Sequence, residues 1–281
     1  MTESLISIAR REFHASLLAG ILTRDAKGFP SNADKDSRIS VGIANSILER
    51  LGPALTSEKL PGQTAGASFE EICATFLRLT MSRFRHIRPG DYFVEKGRTI
   101  SRFDQYTHLS ELADLARRDR SLATAIGSDY IIKPDVVVGR NPEPDETINA
   151  EELLVDAASA RLTPVRAMNQ QQPILHASIS CKWTLRSDRA QNARSEGLNL
   201  VRNRKGKLPH IAVITGEPLP SRIASLALGT GDIDCVYHFA LPELRAALEE
   251  PGSEDRLELL ETMVSGKRLR DIADLPLDLI A

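Results

Sequence analysis

The stretch HASISCKWTLRSDR, residues 176–189, alternates in steps of two. Ala177, Ile179, Cys181, Trp183 and Leu185 fall on one side, and His176, Ser178, Ser180, Lys182, Thr184 and Arg186 on the other. An extended chain points successive side chains to opposite faces, so the pattern predicts a half-buried strand with one apolar face and one polar, wet face. The strand runs directly into a helix start that, with Ser187 as N-cap, carries Arg186 and Arg189. Cations at the positive end of a helix are disfavoured by about 0.3–1 kcal/mol each. Two arginines there call for an anionic or electron-rich partner.

Working outward, HIAVIT (210–215) is a fully apolar strand, SRIASLAL (221–228) a short helix closed by Gly229, and DCVYHFA (234–240) another strand. Strand, helix and strand joined by short links imply a parallel crossover, so the expected fold is α/β: a mixed β-sheet flanked by helices. Upstream, YIIKPDVVVG (130–139) is a β-branched strand. Between it and the opening strand lie more than thirty residues rich in Pro, Asp and Glu, with a short helix expected at 151–160, which is long for a connection inside a compact domain. The N-terminal third reads as helical over 3–20 and 39–51, with KGFPSNADKDSR (27–38) as a surface loop between them. In LPGQTAGASFEEICATFLRLTMSRF (60–84), Ser68 and Glu71 read as a capping box, and Phe69, Ile72, Cys73, Phe76, Leu77 and Phe84 as an apolar stripe. Residues 241–281 read as helical. No repeat or linker divides the chain, so one domain over 1–281 is expected.

The chain has 281 residues, 42% hydrophobic and 26% charged, enough for a sizeable core. Its three cysteines are far apart and have no metal-ligand spacing, which fits a reducing cytoplasm. No apolar run reaches the roughly 18 residues that a membrane span needs. The net charge of −2 is uneven: residues 186–207 hold seven positive and two negative side chains, leaving −7 elsewhere. A basic surface on an acidic body suits a polyanion.

Asp135 opens one strand, and Lys182 lies mid-strand on the polar face of another. Alone, each is ordinary: Pro-Asp is turn chemistry, and a lysine guards an edge. Together they form the usual core of a metal-dependent phosphodiesterase site, the acid holding a hard divalent cation and the lysine facing the attacking hydroxide or the charge growing on phosphorus. A second acid would stand two residues before the lysine, where Ser180 is a poor metal ligand. Glu196 can replace it. The strand advances about 10 Å from Lys182 to Leu185, and a returning helix covers about 13 Å from Ser187 to Glu196. Ala190, Ala193 and Gly197 are small enough to let that helix lie close. Glu70 shares a helix face with Cys73, Ala74 and Leu77, so it borders the buried stripe and is a third candidate acid, while Glu71 faces solvent. For Arg186, Asp188 and Arg189, a helix N-terminus is also the part that reaches base edges in a major groove. Arginine pairs with guanine and aspartate with cytosine, so RSDR predicts a reader of G and C. The neighbouring NRKGK (203–207) would hold phosphates.

KPDVVV, SISCKW and Glu196 resemble the PD-(D/E)xK nucleases in the branch whose second acid has moved onto the following helix. CKWTLRSDRAQNARSEGLNLVRNRKGKLPHI (181–211), LPGQTAGASFE (60–70), SNAD (31–34) and LALGTGDIDCVYHFALPEL (226–244) narrow this to a resemblance, from about residue 8 onward, to the NgoMIV-type type II restriction endonucleases. Ser180 and the 46 residues between Asp135 and Lys182 depart from the wider superfamily but agree with this branch. The resemblance implies a restriction-endonuclease-like fold and metal and catalytic positions at Glu70, Asp135, Lys182 and Glu196, with Ser180 beside them. It implies major-groove readers at Arg186, Asp188 and Arg189, outer-base-pair contacts at Asp34 and Arg222, and a minor-groove contact at Gln63. It further implies Mg²⁺ as cofactor, double-stranded DNA cut at GCCGGC after the first G to leave 5′ overhangs, and a companion DNA methyltransferase.

Two alternatives are a DNA-binding protein that has lost cleavage and a repair nuclease of weak preference. The first sits poorly with four retained site residues, the second with an intact RSDR. In the long segment 141–172, Leu153, Leu154, Val155, Leu162, Val165 and Met168 are too many apolar groups for a free loop. They predict burial against another copy of the chain. A palindromic site implies a two-fold dimer, and the resemblance implies a homotetramer of two dimers joined through this segment.

Overall fold

In a computed structural model, residues 3–56, 60–127, 130–229 and 231–281 are described, except for the side chains at 126 and 187–189. The elements run α1 (Leu5–Gly20), α2 (Arg38–Leu51), α3 (Gly62–Met81), β1 (Tyr92–Lys96), α4 (His108–Arg118), α5 (Arg120–Ile126), β2 (Val136–Arg140), α6 (Asp145–Ile148), β3 (Ile174–Lys182), α7 (Ser187–Asn203), β4 (His210–Thr215), α8 (Pro220–Ala227), β5 (Cys235–His238), α9 (Leu241–Leu248), α10 (Glu254–Ser265), β6 (Leu269–Asp271) and α11 (Leu275–Asp278). Among the described residues, six strands form one mixed sheet in sequence order. β1, β2 and β3 are antiparallel neighbours, and β3, β4, β5 and β6 are parallel. The expected crossover is therefore present, with HIAVIT as a central strand between β3 and β5. Its apolar composition follows from burial on both faces.

Two helical layers sandwich β3. On its odd-numbered face Phe69 of α3 meets the Trp183 ring at 5.0 Å, and α1 packs outside α3 through Phe13 against Phe76, ring to ring at 5.4 Å. On its even-numbered face lies α7. Gly197 sits so close to the neighbouring backbone that an added Cβ would stand 2.6 Å from the Asp232 carbonyl oxygen. The small residues foreseen on α7 are thus a packing requirement, and Ala190 and Ala193 are buried beside them.

Several expectations give way here. The polar face of β3 is not wet: Ser178 and Ser180 are 5% and 6% exposed, and Glu196 of α7 closes over Ser180. The strand stops at Lys182 rather than continuing to Leu185, and the N-cap of α7 is Arg186, not Ser187. Helix α3 begins at Gly62, with Pro61 as its N-cap. Ser68 and Glu71 are therefore mid-helix and form no capping box, and Glu71 instead pairs with Arg78 at 2.8 Å. No helix occupies 151–160; the short one is α6, and bends and turns follow it. β6 interrupts the C-terminal tract read as helical. Strand β1 was not foreseen, nor were α4 and α5.

Segment 141–172 is organised by its own polar groups. Arg166, 1% exposed, donates to both carboxylate oxygens of Asp145 at 2.6 Å and to the Ser159 carbonyl at 2.6 Å. The Asn149 side chain accepts from the amides of Leu154 and Val155, each at 2.9 Å. The loop so braced holds Leu162 96% exposed and Leu153 79% exposed, with Leu154 and Met168 also outside. Val155 and Val165 are half-buried in their own chain.

Candidate nuclease active site and DNA-reading cavity

Asp135 and Lys182 meet because β2 and β3 are antiparallel with Val136 opposite Ile179. One step further along the ladder, Asp135 faces Ser180. Asp135 Oδ2 accepts from Lys182 Nζ at 2.9 Å and from the Cys181 amide at 2.7 Å. Glu196 arrives from α7 as the fold-back argument requires, and its Oε2 accepts from Ser180 Oγ at 2.6 Å. Ser180 therefore orients the Glu196 carboxylate. Burial alone would lower the lysine's pKa, but the charges of Asp135 and Glu196 outweigh it and hold the Lys182 ammonium above its ordinary value. The pair is part-buried, at 14% and 20% side-chain exposure. A pair that far from water adds little stability over apolar residues, so its presence at a strand end reads as chemistry.

Glu70 lies alongside. Burial first, and the nearby Asp135 second, push its carboxyl above the usual range, with Lys96 and Lys182 opposing. With α3 starting at Gly62, Glu70 is well inside the helix, so the helix dipole no longer accounts for it. Lys96 Nζ of β1 stands 3.7 Å from its carboxylate. Sequence reasoning missed Lys96 because it missed β1; the Gly-bounded run DYFVEKG held the signal.

Hard divalent cations take carboxylate oxygens, and the acids present suit that donor class. Asp135 Oδ1 and Glu196 Oε1 are free of hydrogen bonds among the described residues. Burial and the charge of Asp135 both disfavour the ionised form of Glu70, a repulsion that a cation between the two acids would relieve. No three metal-ligating groups converge among the described residues, Glu70 being turned toward Lys96.

A second cluster opens beside the first turn of α7. A polar cavity of about 560 Å³ is lined by Asp34, Asp36, Leu185, Arg186, Ser221, Arg222 and Ser225. Arg222, in the first turn of α8, pairs with Asp34, and that contact holds the Asp34 carboxyl below its ordinary range. Arg186 is exposed. Three residues far apart in sequence thus share one concavity. Asp188 and Arg189 occupy the first turn of α7, and their side chains lie outside the described residues. Gln63 is exposed in the first turn of α3, away from this cavity's lining. Glu217, behind the cavity, is a completely buried carboxylate that sequence reading did not single out.

The family model of the NgoMIV restriction enzyme matches residues 13–281. A curated relative, the type II restriction enzyme NgoMIV of Neisseria gonorrhoeae, is 54% identical over 281 aligned residues, covering 98% of each chain. Among solved structures, the complex of restriction endonuclease PspGI with substrate DNA aligns with a TM-score of 0.39 at 14% identity, over 98% of this chain and 90% of that one. The type IIF restriction endonuclease Bse634I with cognate DNA aligns at 0.34 and 15% identity, over 96% and 92%. Backbone likeness at that level carries no argument, and the family rests on the two sequence matches.

Proposed function

The chain belongs to the NgoMIV restriction enzyme family and is a type II restriction endonuclease, a hydrolase acting on DNA; from that premise we propose that it is one endonuclease domain cutting double-stranded DNA at GCCGGC after the first G. The observation that carries the chemistry is the junction of Asp135, Lys182, Ser180 and Glu196 at one end of β3, joined by bonds of 2.6–2.9 Å.

In this reading Asp135 and Glu196 hold Mg²⁺, with Glu70 nearby, and the ion when bound supplies a hard Lewis acid beside the scissile phosphate. Lys182 keeps its positive charge next to the reacting phosphate and favours the negative charge that develops there. Its bond to Asp135 fixes the ammonium at one point, and Ser180 fixes the Glu196 carboxylate. The face of β3 under α7 is shielded from solvent, which strengthens each of these charge interactions. Arg186, Asp188 and Arg189 read the inner G and C edges in the major groove, Asp34 and Arg222 the outer base pair, and Gln63 the minor groove. Support comes from the shared cavity of Asp34, Arg186 and Arg222 and from residue types that suit those edges.

The assembly proposed is a homotetramer of two dimers, joined through segment 141–172, whose exposed leucines are braced outward by Arg166. A companion methyltransferase would protect host sites. The cytoplasm is the setting that suits three cysteines that are free and buried, and among the described residues no helix is long and apolar enough to cross a membrane.

The test is a pair of variants. Lys182→Ala should retain binding to a GCCGGC duplex while its Mg²⁺-dependent cleavage falls below about a tenth of the normal rate, the loss of one transition-state charge being worth tenfold or more. Asp135→Ala should also abolish cleavage. Cleavage above that level in either variant removes these residues from the catalytic role.

A further inference from the structure

Glu217, in the turn between β4 and α8, is 0% exposed yet ends in a carboxylate bound on both oxygens. The Leu185 amide donates to Oε2 at 2.8 Å and the Leu219 amide to Oε1 at 3.2 Å. Arg222 Nη1 stands 3.7 Å from Oε1 while the same guanidinium pairs with Asp34. The backbone around Glu217 has little freedom. Its carbonyl accepts from His238 Nε2 at 3.1 Å, the Gly216 carbonyl accepts from Asn32 at 2.8 Å, and a Cβ on Gly216 would collide with Trp183 at 2.6 Å. Burying a carboxylate so completely is costly unless its charge is used. A glutamine would satisfy one amide, but it could not accept from both amides and also attract Arg222.

Leu185 immediately precedes Arg186, and Leu219 is the N-cap of the helix that carries Arg222. One buried group therefore ties together the roots of two arginines that both stand at helix N-termini, where their charge is otherwise unfavourable. We infer that Glu217 is a specificity-determining positioning residue, whose carboxylate holds Arg186 and Arg222 in a single frame so that they engage the DNA bases as a unit. The inference rests on the proposed reader role of those arginines.

The experiment measures binding without divalent metal to a GCCGGC duplex and to one with the outer base pair exchanged. It compares the unaltered protein with Glu217→Gln, Arg222→Ala and the double variant. The expected result is that Arg222→Ala lowers the preference for GCCGGC about tenfold or more, in line with the loss of one base contact. Glu217→Gln should lower it about tenfold alone and by less than about threefold on top of Arg222→Ala, since coupled residues do not add. Equal weakening on both duplexes, or full additivity, overturns the inference in favour of a purely structural Glu217. A lowered preference in Arg222→Ala with none in Glu217→Gln overturns it while the reader assignment stands. An unchanged preference in Arg222→Ala overturns the reader assignment, and this inference with it. If Glu217→Gln does not fold, Glu217→Asp serves instead, because it keeps the charge but falls short of the Leu185 amide: a several-fold drop confined to preference supports the inference, and an unchanged preference overturns it.

Discussion

Lys182 is an ordinary strand lysine until its neighbours are placed. Asp135 reaches it across a strand ladder, and Glu196 comes from the helix above to Ser180, so three charges separated by up to 61 positions gather at one end of β3. That convergence was legible because each residue carries its own local signal: strand alternation for Lys182, a strand start for Asp135, and small neighbours for Glu196. Glu217 carried none, since a lone glutamate after an apolar strand looks like any loop acid, and only the tertiary fold shows which amides it binds. At the reading cavity, Arg186→Ala should weaken binding to GCCGGC by about 1–3 kcal/mol, the worth of one bidentate base contact, while binding to unrelated duplexes changes less. Titrating both duplexes checks this, and equal losses would assign Arg186 to phosphates alone.

Elements with a strong period were read correctly: α1, α2 and β4 fall within a residue or two of their expected bounds. Elements whose signal depends on what covers them were not. β1 is short and partly exposed and so lacks a long apolar run, and β6 has three residues inside a helical tract. The polar face of β3 was read as wet because polarity and burial usually exclude one another. Here Ser180 is buried because its hydroxyl has a partner in Glu196. The decisive element is α7, since its distance from the sheet sets where Glu196 stands. Gly197→Ala would press a methyl group onto the Asp232 carbonyl and lift the helix. A backbone contact cannot move aside as a side chain can, so the expected cost is about 1–3 kcal/mol of stability, together with a loss of cleavage larger than the loss of DNA binding. Urea unfolding and single-turnover cleavage measure the two effects. A fully active Gly197→Ala protein would show that α7 need not lie close for Glu196 to act.

For the whole molecule, the proposed site gives each chain one catalytic centre, whereas the proposed palindrome presents two scissile phosphates related by a two-fold axis, so a dimer would be the smallest unit that cuts both strands. The exposed Leu153 and Leu162 lie on the second surface proposed to join two dimers. Leu162→Asp leaves the folded chain almost untouched, because the side chain is 96% exposed, yet it would place a charge in an apolar interface. It should convert a tetramer to dimers by light scattering and abolish any preference for two-site over one-site plasmids. An unaltered protein that is already dimeric, with equal rates on both plasmids, would rule out the tetramer and leave the nuclease chemistry in place. Site-specific cleavage is measured with the purified chain, Mg²⁺ and plasmid DNA of known sequence, followed by sequencing of every fragment end. The expected ends are confined to GCCGGC, each cut after the first G with a 5′ overhang, and cleavage stops when the metal is chelated. Ends scattered over unrelated sequences, or intact plasmid in the presence of Mg²⁺, would contradict it.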